Sequence, residues 1–385
     1  MMTTDLTDGT IPLIVLRHAL HEAPEVSRRE MRTAEIIAAQ MRTAGADQVM
    51  CGLGGNGVAA VVNGAATGRT VCLRAELDAL PITEAAAMSP RSRIEGVAHL
   101  CGHDGHMAML VGAVRALAAD RPGNGRVVAL FQPAEEDGSG AAAVAADHRF
   151  KALQVEIAFA LHNKPGLPLG AIALTPGPTT CASRGMRLQL SGRPSHASEP
   201  ELAVSPMRAL SGLMPALETL RCGDKPSDDG FAMVTITHVS MGAEAFGITP
   251  GDGVLLATLR TRDDAAMTDL VAQVEALVAR HAGYIPHAIA WDDVFVAMAS
   301  TRTAAEMLAD AAATMGLPSV DGILPIRGSE DFGGLGVPER AFAFVGSGDG
   351  PSLHAPDYAF PDALIPIGAE LLERAARMAL EDGAL

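Results

Sequence analysis

The stretch His99-Leu100-Cys101-Gly102-His103-Asp104-Gly105-His106 gathers imidazoles, a thiol and a carboxylate within eight residues. It then runs into an apolar, helix-like segment over residues 107–119. Thiolate and imidazole are the groups that hold zinc and its neighbours, and Cys101 and His103 are close enough in sequence to serve one metal from a single loop. A second cluster, Phe131-Gln132-Pro133-Ala134-Glu135-Glu136, adds two carboxylates, and His162 and His354 each end an apolar run. Each feature has a bland reading by itself. A Cys-x-His in a loop is commonly idle, a Glu-Glu pair is usually a solvated turn, and a single His beside apolar residues is usually structural. Four separate clusters that all offer metal-type ligands are harder to dismiss.

Glu135 and Glu136 follow an expected strand after a proline. Adjacent side chains of extended backbone point to opposite sides, so the pair is expected to divide its work. One carboxylate would bind metal while the other moves a proton, since a metal lowers a water's pKa to ~7 and a base is then needed to accept the proton. The five donors Cys101, His103, Glu136, His162 and His354 are too many for one tetrahedral zinc. They suit two divalent metals sharing a bridging water and, optionally, a bridging thiolate. A structural zinc site fits poorly, because such sites draw on tight paired spacings.

The elements that must position these residues follow from the apolar patterning. A chain of 385 residues is long for one ordinary core and is expected to form two domains. Helical spacing covers residues 11–43, interrupted at Pro24 and Glu25. Strands are expected at 58–62 and 70–77, the second nearly all apolar in the manner of a buried parallel strand. A helix from near His106, a strand at 126–131, a helix at 140–146 and a strand at 157–161 complete an α/β alternation. The motif residues fall at strand ends, where open α/β sheets place their sites.

After Gly- and Pro-rich stretches at 166–170 and 176–178 the order changes. Strand 185–190, helix 205–221, strands 231–239 and 254–260, helix 267–281 and strand 288–296 form a βαββαβ, ferredoxin-like split unit. The expectation is an α/β catalytic domain with a mixed, mainly parallel sheet flanked by helices, from residues 1–177 and 300–385. An inserted α+β domain would span 178–299. A helix at 303–315, a loop at 327–332 and a strand at 341–345 then return to the first domain.

The formal charge of −16 and the lack of any Lys/Arg run argue against a nucleic-acid partner. Five scattered cysteines, an odd number, argue against a disulfide framework and for a reducing compartment. Residues 1–5 show no signal-peptide pattern, and no apolar stretch approaches the ~20 residues of a membrane helix. The expectation is a cytoplasmic protein without a membrane partner.

Four motifs together resemble one family. They are Ala98-His99-Leu100-Cys101-Gly102-His103-Asp104, Phe131-Gln132-Pro133-Ala134-Glu135-Glu136, Leu161-His162-Asn163 and Ser329-Glu330-Asp331-Phe332. That family is the dinuclear-metal amidohydrolases, which include hippurate hydrolase, bacterial aminoacylases and indole-acetyl-amino-acid hydrolases. The resemblance runs in order along essentially the whole chain, inserted domain included. It implies two divalent metals per subunit, zinc or manganese first and cobalt or nickel as further options, and a smaller lid domain that commonly mediates homodimers. Carried over, Cys101, His103, Glu136, His162 and His354 become the ligands and Glu135 the general acid/base. Asp78, in Arg74-Ala75-Glu76-Leu77-Asp78, becomes a carboxylate orienting a ligand, with a turn or cap role as its rival. His196, in Ser191-Gly192-Arg193-Pro194-Ser195-His196-Ala197, would donate to the oxyanion of a tetrahedral intermediate, against a surface histidine. Arg260 would grip a substrate carboxylate, against an ordinary salt bridge.

The resemblance thus implies hydrolysis of N-acyl amino acids. Glu76 stands where many members have Asp, Phe246-Gly247-Ile248-Thr249-Pro250 replaces a common Asn-Val-Ile-Pro, and Arg184 sits near a position often held by Asp. These departures bear on substrate identity. A dipeptidase or carbamoylase of the wider clan is the nearest rival. Such relatives usually have a metal-binding His where this chain has Glu76, and the Cys101 supplied here favours the aminoacylase branch. A catalytically silent metal-binding protein is disfavoured by the intact Glu135.

Overall fold

The computed structural model describes residues 11–85 and 90–382. The chain divides into two compact units. One comprises Met1–Thr179, Ala299–Leu324 and Asp331–Leu385, the other Thr180–Met298 and Pro325–Glu330.

The first unit begins with α1 (Leu13–Glu22) and α2 (Met31–Thr43), then β1 (Gln48–Leu53), β2 (Gly57–Asn63), β3 (Ala66–Glu76), α3 (His103–Ala119) and β4 (Asn124–Gln132). Short helices α4 (Gly140–Ala146) and α5 (His148–Lys151) precede β5 (Ile157–Lys164) and β6 (Ile172–Ala173). The seven-stranded sheet has the order β1-β2-β4-β3-β5-β11-β6, where β11 is Glu339–Gly346. Its four central strands, β4-β3-β5-β11, run parallel, and both margins are antiparallel.

Parallel strands covered on both faces need apolar side chains on both faces. Val71, Cys72 and Leu73 on β3 and Ala158, Phe159 and Ala160 on β5 are buried accordingly. The sheet is therefore mixed and flanked by helices, as the patterning implied. Helix α3 packs against α1 and α9 (Leu364–Asp382), and α8 (Arg302–Thr314) also packs on α9. Helix α9, absent from the sequence reading, buries Leu364, Leu371, Leu372, Ala375, Ala376, Ala379 and Leu380. That is a helical 3–4 spacing.

Three local differences bear on the site. Helix α3 starts at His103, three residues earlier than expected, so His103 opens a helix instead of lying in a loop. Strand β5 continues through His162 and Asn163 to Lys164. Glu135 and Glu136 lie in a turn in which Gly138 N–H donates to Glu135 O at 2.9 Å, so strand alternation does not separate them.

The second unit is built from β7 (Ala182–Ser191), α6 (Met207–Glu218), β8 (Ala232–Met241), β9 (Asp252–Thr261), α7 (Asp264–Ala282) and β10 (His287–Phe295). Its antiparallel sheet has the order β8-β9-β7-β10. Leu188, Leu190, Leu255 and Leu259 meet Leu213, Leu217, Leu270 and Val274 of the two helices in a core of its own. Asp263 caps α7, its carboxylate accepting from Ala266 N–H at 2.9 Å. Among the described residues, no helix is long and apolar enough to cross a membrane.

Candidate metal centre

All five expected donors converge in the first unit. Helix α3 delivers Cys101 just before its N-cap and His103 as its first residue. Gly102 between them adopts φ +93°, which lets the chain turn into the helix. The turn after β4 delivers Glu135 and Glu136, β5 delivers His162, and the segment before α9 delivers His354. Ala134 (φ +51°) and His354 (φ +66°) hold left-handed backbone without being glycine. Such residues cost roughly 1–3 kcal/mol each and persist where the surroundings over-determine them.

Cys101 Sγ lies at the centre, 3.4 Å from His162 Nε2 and 3.4 Å from His354 Nε2. Glu136 spans the group, with Oε1 3.7 Å from His103 Nε2 and Oε2 3.7 Å from His354 Nε2. Glu135 Oε2 is 3.9 Å from His103 Nε2. Three overlapping triads of donor atoms result, Cys101/His103/His162, Cys101/Glu136/His354 and His103/Glu135/Glu136, each with its atoms within 4.8 Å of one another.

The ring orientations are set from behind. His103 Nδ1 donates to the carbonyl oxygen of Asp78 at 2.8 Å, and His162 Nδ1 donates to that of Asn163 at 2.8 Å. A carbonyl only accepts, so both rings carry N–H at Nδ1 and turn Nε2 toward the cluster. For Asp78 the orienting atom is thus the backbone carbonyl. Its carboxylate Oδ2 accepts from Ser27 Oγ at 2.6 Å and from the Glu136 N–H at 3.0 Å, while Oδ1 stays 3.7 Å from His103 Nδ1.

His103 Nε2 and Asp78 Oδ1 are buried without a hydrogen-bond partner. Leaving such an atom unsatisfied costs about 1–3 kcal/mol. A cation among a thiol, three imidazoles and a carboxylate would satisfy His103 Nε2, and the mixed S/N/O donor set suits zinc and its neighbours. The residues present therefore fit a metal.

The electrostatics agree. Burial alone would lower the pKa of His103, but Glu76, Asp78 and Glu136 outweigh it and raise it to about 10. Burial, then Glu136 and Glu135, push the Cys101 thiol well above its ordinary value. Burial, then His106, holds His162 well below its ordinary value, a neutral ring ready to ligate. In the metal-free protein His103 and Cys101 hold protons that a metal must displace. Raising the pH removes those protons, so metal affinity is expected to climb steadily from pH 6 to 9, with net proton release on binding. Titration calorimetry in buffers of different ionisation enthalpy measures that release, and a pH-independent affinity would contradict the arrangement.

Residues given no role by sequence reasoning form a buried layer beneath the donors. Glu76 pairs with Arg74 and accepts from His106 Nδ1 at 2.8 Å. Burial would raise the Glu76 pKa, yet Arg74, His106 and His103 hold it well below the usual carboxylate range. Asp104, in the first turn of α3, accepts from Arg17 Nε at 2.8 Å and pairs with His21 Nδ1 at 2.9 Å, tying the helix start to α1. The available signals were His106 three residues after His103 on one helix face, and Glu76 two before Asp78.

His196 and Arg260 belong to the second unit. His196 is exposed, pairs through its backbone with Ile248, and its Nδ1 meets Ser198 Oγ at 2.6 Å. The ribbon partner is the divergent segment of residues 246–250, where Phe246 is fully exposed. Arg260 Nη1 donates to Arg327 O at 3.0 Å and Ser329 Oγ at 2.8 Å.

A helix-flanked mixed sheet carrying a thiol-centred set of imidazoles and carboxylates defines a metallohydrolase-type site. The profile of peptidase family M20/M25/M40 matches residues 72–378, and the chain belongs to that family, making it a metal-dependent amidohydrolase. It is 29% identical over 372 residues to the N-acetyl-L-cysteine deacetylase of Bacillus subtilis, covering 95% of this chain and 88% of the relative. It is 32% identical over 249 residues to the hippurate hydrolase of Campylobacter jejuni, covering 65% and 64%. A Bacillus subtilis structure described as a dinuclear metal binding peptidase from the M20 family superposes with a TM-score of 0.79 at 26% identity, covering 96% of this chain and 98% of that one.

Proposed function

We propose that this chain hydrolyses the amide bond of N-acyl amino acids, releasing a carboxylic acid and a free amino acid. Two divalent metal ions per subunit would be held by Cys101, His103, Glu136, His162 and His354. Zinc or manganese is the first choice, with cobalt and nickel compatible with the same donors. The observation that carries the reading is Glu135, a buried carboxylate beside the donor set, 3.9 Å from His103 Nε2. A metal store has no use for such a base. The names of the deacetylase and hippurate hydrolase relatives point the same way.

When bound, the metal pair supplies Lewis-acid polarisation and lowers the pKa of a water. The chain's own residues do the rest. Cys101, whose Sγ lies between His162 and His354, and Glu136, which reaches toward both His103 and His354, would help hold the pair. Asp78, through its carbonyl, holds His103 in the ligating tautomer. Glu135 takes the proton of the attacking water and passes it to the leaving nitrogen. His196 donates to the oxyanion. Arg260 binds the substrate carboxylate with the guanidinium nitrogens other than Nη1, which Arg327 and Ser329 engage.

We assign the second unit, with its β-α-β-β-α-β order, the role of a ferredoxin-like lid and dimerisation domain, and the protein the state of a homodimer. Its five cysteines are unpaired, which supports a reducing, cytoplasmic setting.

The test is amine release from hippurate, N-acetyl and longer N-acyl amino acids, with metal-reconstituted protein against a chelated control. Metal-dependent turnover on these substrates is expected. Silence on all of them, with turnover on dipeptides or N-carbamoyl amino acids, would move the assignment to those substrates.

A further inference from the structure

Asn163 is buried on β5 immediately after His162, and two other donor-bearing segments, the start of α3 and the stretch after His354, meet at it. Its carbonyl accepts from His162 Nδ1 at 2.8 Å. Its Oδ1 lies 2.6 Å from Nε2 of His106, one helical turn after His103 on α3, and its backbone N–H lies 3.2 Å from the same ring nitrogen. Its Nδ2 donates to Tyr358 Oη at 2.5 Å, four residues beyond His354. Gly102, between Cys101 and His103, packs so closely that a Cβ there would come within 2.5 Å of Asn163 Oδ1. The far side of the His106 ring is held by Glu76 from β3, at 2.8 Å.

We infer that Asn163 is a positioning residue, setting the Cys101–His162–His354 triangle by gripping α3 through His106 and the His354 segment through Tyr358. The inference rests on the metal reading above. Each donor segment comes from a different element, and the distances among their donor atoms are fixed only if something ties those elements together. The hydrophobic packing of the sheet places strands to within the tolerance of side-chain rotamers. A metal centre needs closer tolerance, and directional bonds from one amide to two segments supply it.

The experiment measures cobalt(II) binding to the full-length apo-protein by titration, with the absorption spectrum as a report on geometry and on the Cys101 thiolate. Asn163→Ala is expected to weaken binding about 10–100-fold, the range for partners that orient ligands, and to shift the thiolate charge-transfer band. Tyr358→Phe keeps the ring and removes one O–H, and a several-fold loss is expected. Because Tyr358 acts through Asn163, the double variant should bind no worse than Asn163→Ala alone. Wild-type affinity and spectrum in the single variants, or fully additive losses, would overturn the inference. Should Asn163→Ala not fold, an unchanged affinity and spectrum in Tyr358→Phe overturns it alone. Failure of the wild-type protein to bind cobalt at all would instead remove the metal reading beneath it.

Discussion

Glu135→Gln is expected to lower kcat by about 10²–10⁴-fold, the range for a lost general acid–base group, while metal content stays at the wild-type level. The amide keeps the shape of the side chain, so the buried turn should survive. On the proposed role, the variant would lose the ability to accept a proton from water and return it to the leaving amine. Glu136 cannot substitute, because its two oxygens are directed toward His103 and His354 at 3.7 Å each. Metal analysis of the purified variant alongside steady-state kinetics separates the outcomes. Loss of metal would make Glu135 a ligand. Wild-type turnover would remove the assignment of a base at this position.

Cys101→Ala is expected to have the largest effect on the metals themselves. Its sulfur is 3.4 Å from both His162 Nε2 and His354 Nε2, the contact common to two donor triads. Removing it should cost more than the 10–100-fold in affinity that follows loss of a mere orienting partner. Bound metal per subunit should fall and activity should disappear at micromolar metal. Metal binding stabilises a folded protein by mass action, so the rise in Tm on adding zinc should shrink in the variant. An unchanged stoichiometry and Tm response would show that the thiol lies outside the coordination set. Cys101→Ser tests the chemistry further. A serine hydroxyl does not ionise near neutral pH, and it should behave like alanine despite its closer shape.

Much of the fold was legible because its cause is local and periodic. The apolar strands of the large sheet, the alternating strands of the second unit and most helices announce themselves through spacing. Helix α9 shows the limit. Its buried face follows the same periodicity, but it comes after the motif-bearing segments and no chemistry drew attention to it. The turn at Glu135 and Glu136 shows another. The left-handed Ala134 that creates it leaves no mark in an ordinary residue, and the two carboxylates were expected to alternate on a strand.

The candidate donors were legible by type alone: thiol, imidazole and carboxylate in four clusters. Sequence by itself thus determined the chemistry on offer and the α/β frame that carries it, since both depend on residue identity and short-range pattern. Tertiary structure decided which atoms face one another. It chose the carbonyl of Asp78 over its carboxylate as the partner of His103, tied Glu76 to Arg74 and His106, and brought Asn163 against two other donor segments. Those choices join residues up to 195 positions apart, as between Asn163 and Tyr358. The packing of the whole sheet against its helices brings such distant residues together, and the directional bonds between them then fix the geometry.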